Sequence, residues 1–332
     1  VTVVDSTKPV ITLHGDANVT HEAATAYLDA GATWTDTLDG NGALVAAGTV
    51  DVNVPGVYVL TYDFTDAAGN AAVSVTRIVS VADTTRPVIS LAGDATVTHE
   101  AATAYLDGGA TWTDTLEGNG TVDGNGTVNV DLPGAYVLSY DVADVGGNAA
   151  TQVVRAVTVV DTTKPVITLE GNATIRHRVW RPYLDRGARA NDTVDGNLTA
   201  SIFTDNPVDV AKPGSYRISY AVTDAAGNVA ETVSREVVVF NENPTDVFLS
   251  KASVEENLPV GTLVGTFSTE DPDDFDGSRS YAYAMVAGDA FSVGADGALR
   301  TGEAFDFETK SGYEVQVRAT DEFGAFLEKT FA

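Results

Sequence analysis

Tyr58-Val-Leu-Thr-Tyr-Asp-Phe64 decides the fold class. Its large apolar residues, Tyr58, Leu60, Tyr62 and Phe64, occupy every second position and alternate with smaller or polar ones. A period of two marks a strand with one face buried, because successive side chains leave a pleated backbone on opposite sides. The same pattern stands at Tyr136/Leu138/Tyr140/Val142 and at Tyr216/Ile218/Tyr220/Val222. Pro-Gly at 55–56, 133–134 and 213–214 turns the chain into each of these strands, and a Gly-Asn tip leads on to a Val-rich one such as 73–81. No segment carries a helical period. The reading is all-β.

The recurrence extends well beyond that strand. Asp5-Ser-Thr-Lys-Pro-Val-Ile-Thr-Leu13 returns from Asp83 to Leu91 and from Asp161 to Leu169, in steps of 78 residues. Asp-Ala-Ala-Gly-Asn at 66–70 returns as Asp-Val-Gly-Gly-Asn at 144–148 and as Asp-Ala-Ala-Gly-Asn at 224–228, and the last step is 80. The two added residues fall between Asp192 and Gly214. Short strands with turn signals every few residues, repeated in blocks of this size, predict tandem β-sandwiches of the immunoglobulin kind. The expected modules are 1–82, 83–160, 161–240 and, where the pattern changes, 241–332, together forming an elongated rod of four sandwiches.

Composition removes whole classes of function. There are 47 acidic and 19 Lys/Arg residues, a formal net charge of −28, and no cysteine. Such a surface repels phosphates, which argues against nucleic-acid binding. The lack of Cys excludes disulfides, thiolate metal sites and Cys nucleophiles. No apolar run approaches the roughly 18–20 residues of a membrane helix. With no starting Met or signal segment, the chain reads as an excerpt of a longer protein. Catalysis finds no support: His21-Glu22 and His99-Glu100 lack a second His for a metalloprotease motif, and no Gly-x-Ser-x-Gly is present.

Two motif sets carry a resemblance. Asp-Thr-Thr-Lys-Pro-Val-Ile, Tyr-Leu-Asp-x-Gly-Ala, Pro-Gly-x-Tyr, Asp-Ala-Ala-Gly-Asn and Arg-x-Val-x-Val resemble, three times over in residues 1–240, the bacterial Ig-like surface-protein domains related to hyalin repeats. Residues 241–332 resemble a cadherin-type domain, through Glu256-Asn-Leu-Pro-Val-Gly-Thr262, Asp271-Pro-Asp273, Phe305-Asp-Phe-Glu308 and Tyr313-Glu-Val-Gln-Val-Arg-Ala-Thr-Asp321. The linker Asn241-Glu-Asn-Pro244 is shorter than that family's usual one. The resemblances imply a secreted or cell-surface bacterial adhesin, with this segment a non-enzymatic stalk.

The acids are expected to converge. In an Ig-type sandwich the loops after the second and sixth strands share a pole with the entering chain. That gathers Asp5, Asp36, Asp39 and Asp66 in repeat 1, Asp83, Asp114, Glu117 and Asp144 in repeat 2, and Asp161, Asp192, Asp195 and Asp224 in repeat 3. Like charges this close raise one another's pKa unless a cation intervenes. An all-oxygen set suits Ca²⁺, which takes 6–8 oxygens in flexible geometry, better than Zn²⁺ or Mg²⁺. The alternative is that each Asp merely caps its own turn. The cadherin resemblance assigns calcium to Asn241, Asn243, Asp271, Asp273 and Asp321. It places Glu256, Asp306 and Glu308 at the opposite pole, in a site that a following domain would complete and that is expected to be empty or half-formed in a chain ending at Ala332. Calcium would then stiffen each joint.

Further residues stand out. Arg77, Arg155 and Arg235 lie in phase with the inward valines of the last strand. Either each packs its stem at an edge and reaches water, or each pairs in the interior with Asp51, Asp131 or Asp209. Trp34 and Trp112 are expected in the core. Repeat 3 replaces Thr-His-Glu-Ala-Ala-Thr-Ala-Tyr by Arg176-His-Arg-Val-Trp-Arg-Pro-Tyr183. Arg176, Arg178, Trp180 and Arg181 could form a contact patch for an acidic glycan or protein partner, or could pair with acids of an adjacent repeat. The remaining partners expected are the neighbouring domains of the same chain, in a monomer. A third reading makes the modules accessories of a secreted hydrolase.

Overall fold

The computed structural model describes residues 1–332 and is all-β, with one short 3₁₀ turn at Thr199–Ser201. The chain forms two compact units, Val1–Thr162 and Thr163–Ala332. The first holds repeats 1 and 2; the second holds repeat 3 and the last module.

Repeat 1 sets the pattern. Its strands are β1 (Val10–Leu13), β2 (Asn18–Glu22), β3 (Ala32–Asp36), β4 (Gly40–Leu44), β5 (Gly56–Tyr62) and β6 (Val75–Ala82). They form two sheets, ordered β1-β3-β4 and β2-β6-β5. Every pair is antiparallel except β2 with β6, where Asn18–Glu22 runs parallel to Ile78–Ala82. The parallel pairing follows from the way the chain crosses between sheets after β1. The alternation in β5 sends Leu60 and Tyr62 inward against Val79 and Val81 of β6. Repeat 2 has the same two sheets. In repeat 3 the two extra residues are absorbed where the 3₁₀ turn leads into a short strand, Phe203–Asp205, that adds a fourth member to the sheet beside Gly214–Ala221. The last module is likewise two sheets, with bulges at Leu263/Gly265 and Met285/Ala287.

The inward arginines belong to the core. Arg77 is 1% exposed, and its partner is Asp29 rather than Asp51. The Arg77 guanidinium also donates Nε to the Asp16 carbonyl at 3.0 Å and Nη2 to the His14 carbonyl. Asp29 accepts in addition from the Tyr62 hydroxyl at 2.6 Å and the Gly31 amide at 3.1 Å. Arg155 with Asp107 and Arg235 with Asp185 repeat the arrangement. So the buried-pair reading holds and the edge reading does not: the guanidinium does not reach water, but the acid comes from the Tyr-Leu-Asp-x-Gly loop and is not Asp51, Asp131 or Asp209. Asp51 stays on the surface and caps its own turn through the Asn53 amide. Burial alone would raise the pKa of Asp185; hydrogen bonds from Tyr220, Arg235 and the Gly187 amide outweigh it and hold the group below its ordinary value. The Tyr62 hydroxyl is pushed up to about 12 by burial and by the Asp29 carboxylate it serves.

Trp34 and Trp112 are half-buried rather than central. The Trp34 ring lies across the neighbouring strand above Gly42 and stacks on Phe64 at 3.8 Å. A Cβ at Gly42 would sit 2.7 Å from the indole nitrogen, and the same holds for Gly120 under Trp112. Gly40-Asn41-Gly42 and Gly118-Asn119-Gly120 therefore make room for an indole.

Candidate acidic poles

In repeat 1 the loop after β3 is built around Asp36, whose Oδ1 accepts from the amides of Leu38 at 2.7 Å and Asp39 at 3.0 Å. Asp39 reaches across to the hairpin after β5 and accepts from the Ala67 amide at 2.8 Å. Asp66, at the start of that hairpin, accepts from the Asn70 amide at 2.7 Å and its side chain at 2.8 Å. Burial opposes the Asp66 charge, yet these bonds leave its pKa lowered. Asp5 arrives on the entering segment. The result is a gathering in which Asp5, Asp36 and Asp66 each offer an oxygen within 4.8 Å of the others.

The turn's Asn satisfies both oxygens of Asp66, Asp144 and Asp224, but turn-capping accounts for only half of the Asp36 carboxylate and its counterparts. Oδ2 of Asp5 and Oδ2 of Asp36 are buried with no hydrogen-bond partner. So are Oδ2 of Asp83 and Asp114 in repeat 2, and Oδ2 of Asp192 in repeat 3, where Asp192 is 4% exposed. A buried oxygen without a donor is unfavourable by roughly 1–3 kcal/mol, more when it is charged. The same atom is left bare in successive repeats, so the defect is systematic. In repeat 2, Asp114 holds the Leu116 and Glu117 amides, Glu117 holds the Val145 amide at 2.6 Å, and Asp144 holds Asn148. Burial raises the Asp83 pKa, helped by the charges of Asp114, Asp144 and Glu22. Repeat 3 places Asp192, Asp195 and Asp224 on the corresponding loops, with Asp195 accepting from the Ala225 amide at 2.6 Å. Asp161, just beyond the last strand of repeat 2, is buried. Asp39, Glu117 and Asp195 thus brace the loop against the hairpin. The donor set fits a hard divalent cation: oxygen only, partly pre-oriented and under-satisfied.

The last module differs. Asp271 and Asp273 are 8% and 4% exposed, and burial raises both pKa values, with Asp321 adding to each. Asp273 Oδ2 accepts from the Glu242 amide at 2.5 Å, while its Oδ1 faces Nε of Arg178 at 3.4 Å. Asp321 accepts from the Asn241 side-chain amide at 2.6 Å and from the backbone of Phe323 and Ala325. Asn243 is exposed. Arg178 thus sets a cation of the protein beside Asp273 Oδ1, a buried oxygen that has no hydrogen-bond donor, like the bare oxygens of the repeats, so this donor set already faces a positive charge where a metal would bind. At the other end of the module, Glu256, Asp306 and Glu308 are exposed and bring oxygens within 4.8 Å of one another.

In the arginine-tryptophan patch of repeat 3, Arg178 and Trp180 are half-buried, and Arg176 and Arg181 are exposed. Arg178 binds Glu242 at 2.6 Å and the Pro272 carbonyl at 3.1 Å. Trp180 stacks on Phe323 at 5.8 Å and lies under Arg279 at 4.1 Å. Arg181 covers Phe275 at 4.1 Å, and Arg176 covers Phe240 at 4.6 Å. Arg178 thus pairs with acids of the adjacent module, as one of the two sequence readings has it, while Arg176 covers a ring of its own repeat.

Two features escaped the sequence reading. The Asn of Asp-Ala-Ala-Gly-Asn fixes the pole Asp, and in repeat 2 Asn148 also donates to the Asp83 carbonyl at 3.1 Å. Glu22 crosses from repeat 1 into the next linker, accepting from the amides and hydroxyls of Thr84 and Thr85. Those bonds, the Thr84 hydroxyl first, lower its pKa to about 2. Glu22→Ala is expected to accelerate amide exchange at Thr84 and Thr85 while leaving the Tyr62 region protected; unchanged exchange at both threonines would contradict a role for Glu22 in the joint.

Comparison with known proteins follows the same division. The model of the bacterial surface protein Ig-like domain matches residues 11–81, 89–159 and 167–239, more than half of the chain. The chain belongs to that family. A cadherin domain model matches residues 250–330. The Ig-like repeats and the cadherin domain are together similar to hyalin of Strongylocentrotus purpuratus, 27% identical over 318 residues, which is 88% of this chain and 26% of hyalin. Human protocadherin Fat 4 is 29% identical over 164 residues, 46% of this chain and 3% of that protein. The chain thus spans about a quarter or less of these two relatives. Among solved structures, a protocadherin gammaB7 EC3-6 cis-dimer aligns with a TM-score of 0.41 and 12% identity, covering 98% of each chain.

Proposed function

We propose that this chain is a non-catalytic stretch of an extracellular adhesion or surface protein, in which Ca²⁺ bound at the acidic poles of the Ig-like repeats stiffens the joints between modules. The tandem Ig-like and cadherin architecture supports the adhesion or stalk role. The recurring bare oxygens of Asp36, Asp114 and Asp192 carry the calcium reading. Asp5, Asp36 and Asp66 would hold the ion in repeat 1; Asp83, Asp114 and Asp144 in repeat 2; Asp192 and Asp224, braced by Asp195, take part in repeat 3. Glu256, Asp306 and Glu308 are a further candidate set. When bound, the ion supplies the positive charge these carboxylates lack. The chain's own part is orientation: the turn amides fix Oδ1 of Asp36, Asp114 and Asp192 and leave Oδ2 without a donor, while an Asn holds both oxygens of Asp66, Asp144 and Asp224. Loops and linker then share one partner, and swinging the linker means breaking that shared coordination. Affinity is expected at about 10⁻⁴–10⁻³ M, the range of extracellular modules, which suits a calcium-rich exterior.

Equilibrium dialysis counting bound calcium per chain, with melting measured in calcium and in EGTA, tests this. Calcium is expected to bind at more than one site per chain and to raise the melting temperature, and EGTA to reverse both. A chain that binds no calcium at millimolar concentration, or melts identically in EGTA, overturns the reading.

A further inference from the structure

Calcium does not explain the joint between repeat 3 and the cadherin domain. Here the residue at the place of Glu22 and Glu100 is Arg178. Glu22 meets Thr84 and Glu100 meets Thr162 at a separation of 62 residues. Arg178 meets Glu242 at 64, the same place once the two extra residues of repeat 3 are counted. The contact has kept its position and inverted its polarity. In the first two repeats a carboxylate accepts from the linker; in the third a guanidinium donates to a linker carboxylate.

The exchange has consequences for the pole beyond it. Glu242, Asp271, Asp273 and Asp321 put four acids around the joint, and two of them, Asp271 and Asp273, are buried. Arg178 reaches Glu242, the Pro272 carbonyl and the otherwise unpartnered Oδ1 of Asp273. Arg279 adds a second positive charge, between the Trp180 ring and Glu322. Trp180 stands where repeats 1 and 2 have Ala24 and Ala102, all three in left-handed backbone. A bulky side chain is uncommon in that conformation. There its ring stacks on Phe323, which packs against the core of repeat 3. A guanidinium already paired with Asp273 would repel a divalent ion entering at the same oxygen, and the stacked rings give the joint an apolar contact that needs no ion.

We infer that Arg178 acts as a tethered cation in place of a metal, so that the joint between repeat 3 and the cadherin domain stays rigid without calcium, while the joint between repeats 1 and 2 depends on it. Only the second half of that statement rests on the calcium reading above. Because the chain has no cysteine, paired spin labels can be placed without background. Thr49→Cys with Thr127→Cys spans repeats 1 and 2, and Thr204→Cys with Ser253→Cys spans repeat 3 and the cadherin domain. All four positions are exposed. In the full chain, EGTA is expected to abolish the single narrow distance between 49 and 127 and to leave that between 204 and 253 intact. Arg178→Ala should abolish the narrow 204–253 distance in EGTA. Arg178→Glu, which restores the carboxylate of the other repeats, should be broad in EGTA and narrow in calcium, a reversal that a misfolded repeat could not show. The inference is overturned by loss of the narrow 204–253 distance on chelation with Arg178 in place. It is equally overturned if Arg178→Ala or Arg178→Glu keeps that distance narrow in EGTA. If instead only the 49–127 distance ignores EGTA, the calcium reading fails and the assignment of Arg178 stands on its own variants.

Discussion

Arg235→Leu is expected to destabilise repeat 3 by about 3–5 kcal/mol, because it removes one member of a buried ion pair and leaves the other uncompensated. Arg235 is 1% exposed, and Asp185 depends on it. A module of this size has a total stability on the order of 5–10 kcal/mol, so the variant should sit close to unfolding. The double variant Arg235→Met/Asp185→Asn should be the milder one. It removes the stranded charge and keeps an oxygen for the Tyr220 hydroxyl, which donates to Asp185 at 2.5 Å. The wild-type advantage also has a definite pH signature. The pKa of Asp185 is depressed in the folded state, so the unfolded chain takes up its proton first as pH falls. The stabilisation is complete above the unfolded value of about 4 and is lost as pH drops through the lower folded value. Urea unfolding can be followed through Trp180, the one tryptophan of repeat 3, with Trp34 and Trp112 replaced by Phe. A single variant that loses less than about 1 kcal/mol, or a double variant worse than the single, would show that burial of the pair contributes little.

How much of this was readable in advance depends on what a linear pattern encodes. Period-two alternation reports which face a side chain takes, and it placed Leu60, Tyr62, Val79 and Val81 in the interior together with Arg77. It says nothing about what stands opposite. Arg77 and Asp29 are 48 residues apart and are brought together by the crossing of the chain between sheets, and nothing in the linear pattern marked Asp29 over Asp51. The acidic poles were legible because loop order around a sandwich is fixed by topology, and three copies repeated the same Asp positions. The bare second oxygens were not, since they depend on which amides each turn happens to supply. The inverted joint at Arg178 was visible only as an excess of arginine. Its meaning needed Glu242 at the matching linker position, and that correspondence emerges when residues 62 and 64 apart are laid over one another.

Asp36→Asn should reverse the sign of its effect when calcium is added. Without metal, wild-type repeat 1 keeps Asp36, Asp5 and Asp66 within 4.8 Å of one another, and two of the oxygens there have no donor. An asparagine of the same shape retains Oδ1 for the Leu38 and Asp39 amides and turns the bare Oδ2 into an NH₂ that can donate to its acidic neighbours. Removing one of several like charges and making one hydrogen bond should stabilise repeat 1 by about 1 kcal/mol in EGTA. With metal the same change deletes a ligand. At a hundredfold excess over its Kd, a bound ion stabilises the wild type by about 2.7 kcal/mol, most of which the variant would forgo. The difference in melting temperature between variant and wild type should therefore start positive in EGTA, pass through zero during a calcium titration and end negative. Capping alone predicts no such crossing, because a turn amide does not sense calcium. A difference that keeps one sign from EGTA to millimolar calcium would reduce Asp5, Asp36 and Asp66 to turn caps.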